Sequence, residues 1–327
     1  MSHDIRGVAE GAGLPPAPVG PPEVTVIMAC RNGLPFLGQS LDSLATQTFA
    51  AWELLVVDGG STDGSVELAT RYGPRVRVLL APDAPPPGVA RNRAAAEARA
   101  PLLAFLDADD CWRADKLERQ VALLRASGAT LVFSDCRVID GKGRVLGRYL
   151  SRHRPARGAV SHRLWAENFV PLSTVLVTRE AFAAVGGFPA GYWAADDYLF
   201  FLRVARLGVF EYDEGALADY RVHPGNITRD FRRAYQENAR VYESLLEDAA
   251  DDAERARSRE ALGVLCWRWA LREVAGGAFG RAWSLAGRAV RATGGRGAAG
   301  AFLGAAASWL RGLPLRLRME RARRSTP

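Results

Sequence analysis

Between residues 24 and 135 the chain repeats one pattern, a short β-rich apolar run followed by a stretch with helical spacing. "VTVIMA" (24–29), "ELLVVD" (53–58), "RVRVLLA" (75–81), "PLLAFLD" (101–107) and "TLVFSD" (130–135) read as strands. "FLGQSLDSLATQ" (36–47), "SVELATRYG" (65–73), "GVARNRAAAEARA" (88–100) and "ADKLERQVALLRASG" (114–128) read as the helices between them. Strands joined through helices run parallel, and their sheet is covered on both faces. Ligands of such a sheet bind outside the carboxyl ends of its strands. Asp58, Asp107 and Asp135 each close a run at that edge. Core packing would place Val, Ile or Leu there, so a row of acids marks a site.

Past residue 135 the alternation stops. "DGKG" (140–143) reads as a hairpin turn, "STVLVTR" (173–179) as a strand and "EAFAAVG" (180–186) as a short helix. "GGFPAGYW" (186–193) is a loop, "DDYLFFLRVARLG" (196–208) an amphipathic helix, and "VFEYD" (209–213) and "ALADYRVH" (216–223) two strands. From residue 230 the spacing is helical only, over 230–250, 253–275, 279–291 and 300–324. The expected organisation is a disordered Gly/Pro-rich leader over 1–22, an α/β domain over 23–229, and a helical, basic C-terminal extension over 230–327.

The net charge of +7 raises the question of a nucleic-acid partner. Residues 231–327 carry 18 Lys+Arg against 10 Asp+Glu, while the rest of the chain holds 25 against 26. The body is therefore neutral and the excess sits in the tail, where 281–327 has ten Arg and one acid, Glu320. Aromatics are not interleaved among these arginines, so no nucleic-acid partner is expected. A GC-rich genome would account for abundant Arg, Ala and Gly, but not for charge gathered at one end. The four cysteines show no C-x-x-C spacing and read as reduced intracellular thiols. No apolar segment of signal-peptide type opens the chain. The run 298–310 falls short of the ~20 residues a spanning helix needs.

"FLDADD" (105–110) places Asp107, Asp109 and Asp110 together. Carboxylates that close raise one another's pKa unless a cation or hydrogen bonds offset them. The first strand is followed by "CRNGLPFLG" and not by G-x-G-x-x-G, and no G-x-x-x-x-G-K-[ST] occurs, so a nucleotide bound here would be held through acids. That implies a divalent ion such as Mg²⁺ or Mn²⁺, which favours carboxylate, water and phosphate oxygens. The competing reading, Asp109 or Asp110 capping the following helix, accounts for one acid but not for three.

Four blocks in order carry a resemblance. "PPEVTVIMACRNGLPFLGQSLDSLATQTFAAWELLVVDGGSTDGSVELA" resembles the N-terminal signature of the family 2 glycosyltransferases. "GVARNRAAAEARAPLLAFLDADDCW", "GGFPAGYWAADDYLFFLRVARLG" and "YRVHPGNIT" resemble the blocks that follow it, together covering 24–228. The chain departs from the family's usual pattern at Ala29 and Arg31, where Pro and Tyr are common. It departs again at Gly59, often a second Asp, and at Asp196–Asp197, usually Glu–Asp. Without the Tyr, an Arg guanidinium could stack on the base instead.

The resemblance implies the GT-A fold: a Rossmann-like mixed sheet with a parallel N-terminal half, here followed by an α-helical extension. It implies a metal-dependent inverting enzyme that moves a sugar from a nucleotide-diphosphate sugar to an acceptor hydroxyl. A UDP-sugar is the family-level expectation for the donor, and a glycan or lipid-linked molecule for the acceptor, in cell-surface polysaccharide or glycolipid synthesis. Ala29, Arg31, Asn32, Asp58, Arg91, Asp107 and Asp196 would contact the donor, and Mn²⁺ or Mg²⁺ would sit on Asp109 and His223. Asp110 would support its neighbours. Asp197 would be the general base, taking the acceptor proton as the oxygen attacks C1. At a helix N-terminus the dipole favours its charged form, so little rise in its pKa is expected. Trp165, Tyr192 and Trp193 are open to two readings, acceptor stacking or core.

The tail also has two readings. Leu, Phe and Trp beside clustered Arg over 300–324 fit an interfacial helix on anionic lipid, or a basic end with no surface to meet. The first implies a cytoplasmic protein, peripheral on the inner face of the membrane. Three rival classes are a non-catalytic nucleotide-sugar-binding or scaffold protein of the same fold, a nucleotidyltransferase, and a nucleic-acid binder. The retained D-x-D and late Asp, the absence of a Gly-rich basic loop after the first strand, and the neutral body count against them in turn.

Overall fold

A computed structural model describes residues 20–153 and 155–325. Most of the leader, 1–19, thus lies outside the described residues, as do the tail side chains at 308–317 and 320–325. The first half alternates strand and helix as the spacing predicts: β1 Val24–Cys30, α1 Leu37–Ala45, β2 Trp52–Asp58, α2 Ser65–Arg71, β3 Val76–Leu80, α3 Pro87–Ala96 and β4 Leu102–Phe105. A two-residue strand, β5 Cys111–Trp112, precedes α4 Lys116–Ser127. Then come β6 Leu131–Asp140, β7 Val145–Arg148, α5 Ser161–Ala166, β8 Leu176–Thr178, α6 Arg179–Ala184, α7 Asp196–Val204 and β9 Phe210–Val222. Three helices follow: α8 Phe231–Glu247, α9 Asp252–Ala275 and α10 Phe279–Ser325.

The strands form one sheet ordered β3-β2-β1-β4-β8-β6-β9-β5, with β7 beside β6. β3, β2, β1 and β4 are mutually parallel, and β8 enters antiparallel, so the sheet is mixed with a parallel half. Period-2 alternation sends Ile27, Leu55, Val57, Leu103 and Phe105 to one face, under α3 and the later helices. Val26, Met28, Leu54, Val56 and Ala104 go to the other face, under α1, α2 and α4. Burial on both faces aligns the strand ends, and with them the acids of the carboxyl edge.

Two expectations need correction and a third holds. The two strands over 209–223 are one, because Glu214 and Gly215 bulge out of the register between Asp213 and Ala216. Asp135 does not close its strand: β6 runs on to Asp140. Its buried carboxylate takes Arg148 Nε at 2.6 Å and the Leu150 amide at 2.9 Å, a structural role. The helices expected over 279–291 and 300–324 are both present, as the two arms of α10 on either side of a kink at Gly294 (φ 70°, ψ 162°), a conformation open to glycine. The far end of α10 turns back onto the sheet, where Met319 is buried with Val138 and Val222.

Candidate active site

A cleft of about 940 Å³ lies at the carboxyl edge of the parallel strands and extends between the sheet and the C-terminal helices. Ala29, Arg31, Asn32, Arg91, Asp107, Asp109, Asp196, Asp197 and His223 all line it. Asp58 lies at its floor between the lining residues Val57 and Gly59.

β1 and β2 run in register, Cys30 beside Asp58, so their following loops meet. Asp58 Oδ2 accepts the amides of Gly60 and Ser61 at 3.0 and 2.9 Å. Its Oδ1 is buried with no hydrogen-bond partner among the described residues, a cost a ligand donor would relieve. Asn32 adopts φ 51°, stabilised by its own Oδ1 accepting the Thr62 amide at 2.9 Å. A Cβ added at Gly59 would meet Arg31 Cβ at 3.5 Å and Cδ at 3.6 Å, so the Arg31 stem lies across this glycine. Asp63 ties the loop together, accepting the amides of Leu34 and Ser65.

After β4 the three acids separate into three environments. Asp107 is partly open and accepts Arg91 Nη2 at 2.7 Å. Asp109 Oδ2 meets His223 Nε2 at 2.8 Å and Asn226 Nδ2 at 3.1 Å. Asp110 turns inward and is buried, accepting Ser173 Oγ at 2.6 Å and the Arg221 amide at 2.9 Å. Burial first, then Asp109 and Asp107, pushes the Asp110 carboxyl well above the ordinary range. It caps no helix; Asp115 stands before α4.

Arg91 lines the cleft with two of its nitrogens already engaged. Buried on α3, it bridges Asp107 and Asp196, the latter through Nη1 at 3.1 Å. Gly88, one turn earlier, makes room: an added Cβ would lie 2.6 Å from Asp196 Oδ2. Asp196 and Asp197 open α7, capped by the Ala195 backbone without a side-chain bond. Burial and then the Asp196 carboxylate push the Asp197 carboxyl up from 3.8 to about 7. The expectation of a pKa held down by the helix dipole was wrong, because burial and a like charge outweigh half a unit charge at the helix end.

His223 Nδ1 accepts the Gly225 amide at 3.1 Å, so in the neutral ring the proton sits on Nε2, facing Asp109. For Nε2 to ligate an ion the ring proton must move to Nδ1 and the Gly225 amide give up its bond there; Nε2 and Asp109 Oδ2 then stand 2.8 Å apart, close to the ~3 Å between adjacent ligands of an octahedral Mg²⁺-sized ion. Among the described residues no group of three or more His, Cys, Asp or Glu is arranged to hold a metal ion by itself. The pair fits an ion that takes its remaining ligands from phosphate and water.

Three contributors escaped the sequence reading. Arg221, buried at the end of β9, gives Nε to the Asp109 carbonyl at 2.8 Å and Nη2 to Gln39 at 2.9 Å. Its position two residues before His223, at the end of the strand that leads to it, was the available signal. Ser173 holds Asp110 from a 3₁₀ turn. Glu237 of α8 accepts the amides of Trp193 and Ala194 at 2.9 and 2.7 Å, fixing the loop that leads to Asp197. Of the aromatics, Trp165 and Tyr192 are core, while Trp193 lines the cleft and is 38% exposed.

The model of the family "Glycosyl transferase family 2" matches residues 25–186. The putative teichuronic acid biosynthesis glycosyltransferase TuaG of Bacillus subtilis is 25% identical over 228 residues, 68% of this chain and 88% of that protein. The Escherichia coli UDP-Glc:alpha-D-GlcNAc-diphosphoundecaprenol beta-1,3-glucosyltransferase WfgD is 30% identical over 129 residues, 39% of this chain and 51% of that one. Among solved structures, S. aureus TarS 1–349 with UDP-GlcNAc superposes with a TM-score of 0.64 at 16% identity, covering 92% of each chain. The mannosyltransferase PcManGT from Pyrobaculum calidifontis, with GDP-Man and Mn²⁺, superposes at 0.62 and 21% identity over 94% of this chain and 88% of that one. The fold is GT-A, and the chain belongs to glycosyl transferase family 2.

Proposed function

We propose that the protein transfers a sugar from a nucleotide-diphosphate sugar to an acceptor hydroxyl with inversion, in polysaccharide or glycolipid synthesis. The observation that carries this is the meeting, in one cleft, of the Asp107–Asp109–His223 edge and Asp197, whose carboxyl is pushed up to about 7. The relatives' printed names, a teichuronic acid glycosyltransferase and a glucosyltransferase using UDP-Glc, support the reaction class. UDP-GlcNAc and GDP-Man in the structural neighbours support a nucleotide-sugar donor, with a UDP-sugar the first choice.

In this reading the unpartnered Asp58 Oδ1 takes a donor from the base or ribose, and Arg31 over Gly59 offers its guanidinium plane beside it. Asp109 and His223 hold the divalent ion, which when bound offsets charge building on the leaving diphosphate. Arg91 fixes Asp107 and Asp196 at one spacing. Asp197 takes the acceptor proton, and a carboxyl near 7 is suited to gaining and releasing that proton at neutral pH. Glu237 keeps its approach loop still. The enzyme works in the cytoplasm, peripheral to the membrane, on a glycan or lipid-linked acceptor.

The test is a thermal-shift screen of nucleotide-sugars with Mn²⁺, followed by transfer assays on Asp197→Asn. A stabilising donor is expected, because a ligand of the folded state raises Tm with its occupancy. The variant is expected to bind that donor and transfer nothing. Full turnover by Asp197→Asn removes it from the base role, and donor binding without turnover in the parent favours the non-catalytic reading.

A further inference from the structure

Thirteen large apolar side chains are exposed among the described residues, and six of them fall between 274 and 303: Val274, Phe279, Trp283, Val290, Phe302 and Leu303. Trp283 is 83% exposed and Phe279 68%, so neither core nor cleft uses them. Phe279, Trp283 and Val290 are spaced four and seven residues apart on α10, which places them on one side of the helix. The opposite side is spent: Ala282 and Leu285 are buried with Trp269 of α9, and Ala289 joins the main core. Toward the far end of α10, Met319 docks on the sheet.

We propose that this outward face of α10, centred on Phe279 and Trp283, rests on an anionic lipid surface. Charge selects that occupant. Over 281–300 the chain carries four Arg and no acid. Arg281 and Arg288 are turned inward onto Glu273 and Glu243, but Arg291 is exposed beside Val290 with no ion pair among the described residues. A second copy docking through the same face would bring the same positive charge against it. Anionic headgroups complement it, and an exposed Trp and Phe fit the boundary between headgroup and acyl chain. No described helix is long and apolar enough to cross a membrane, so the contact lies in the surface plane. The proposal rests on the peripheral placement above and not on the transfer chemistry.

The experiment is flotation of the full chain with phosphatidylglycerol/phosphatidylcholine vesicles and with phosphatidylcholine alone. The parent should float with the anionic vesicles, and salt should weaken this as headgroup attraction is screened. Phe279→Ser/Trp283→Ser should lower the partition coefficient by about tenfold or more. Arg291→Glu should lower it on anionic vesicles alone. Donor-induced thermal shifts should be unchanged in all three. Equal flotation of parent and double variant, or none by the parent, overturns the proposal. So does a parent dimer in light scattering that the double variant turns into monomer, which would make the face a self-association surface. A donor shift with no flotation sinks only this inference, whereas flotation with no donor shift sinks only the transfer reading.

Discussion

Replacing Asp197 by Asn should stabilise the protein while removing its activity. The Asp197 carboxyl rises from 3.8 to about 7 through burial and the neighbouring Asp196. Each pH unit is worth about 1.4 kcal/mol, so the full rise corresponds to about 4 kcal/mol. The side chain is partly open to the cleft, and solvent screening reduces this to about 2 kcal/mol. The sign follows from the folded value lying above the unfolded one. The unfolded chain releases its proton first as pH rises, so the penalty begins near pH 4 and is complete above about 7. Asn carries no charge and avoids it. In thermal unfolding, Asp197→Asn should therefore exceed the parent by about 2 kcal/mol at pH 8, about 3 °C in Tm for a chain of this size, with the gap closing toward pH 4. The parent's kcat/KM should fall about tenfold per unit below pH 7. A gap that is absent, inverted or independent of pH would refute the account of this carboxyl, whatever the substrate proves to be.

The three acids of the strand-end cluster should separate under mutation. EDTA should stop transfer and Mn²⁺ or Mg²⁺ restore it, and Asp109→Asn should raise the metal concentration needed about tenfold or more; activity unchanged in EDTA would end the metal claim. Asp110→Asn should be tolerated within about 1 kcal/mol in urea unfolding, since an amide can still accept from the Arg221 amide and donate to Ser173 Oγ. Arg91→Ala leaves Asp107 and buried Asp196 facing each other unpaired, and should cost about 3–5 kcal/mol in the same assay. A loss under 1 kcal/mol would show that the bridge is not holding these elements.

The strands, the helices between them and the acids at the carboxyl edge were legible because local periodicity determines them. Alternating apolar residues in β1, β2 and β4 leave only a doubly covered sheet, and that puts Asp58 and Asp107 at one edge. Asp135 was misplaced because strand length depends on pairing: β9 and β7 hold β6 extended for five residues beyond it. Arg91 was expected beside the donor, and its bridging role went unseen because its two carboxylate partners are 16 and 105 positions away. No local pattern announces a salt bridge of that span.

The sequence by itself determined the layered fold, the D-x-D edge and Asp197 as a candidate, since all three are written in short stretches of chain. Only the tertiary structure decided which of three adjacent acids faces the cleft, how far the Asp197 carboxyl is raised and which side of α10 is left bare. Those depend on burial and on charges brought together from distant segments. Asp109 meets His223 from 114 positions away, and Asp110 meets Ser173 from 63, so adjacent carboxylates acquire different chemistry only when the chain closes around them.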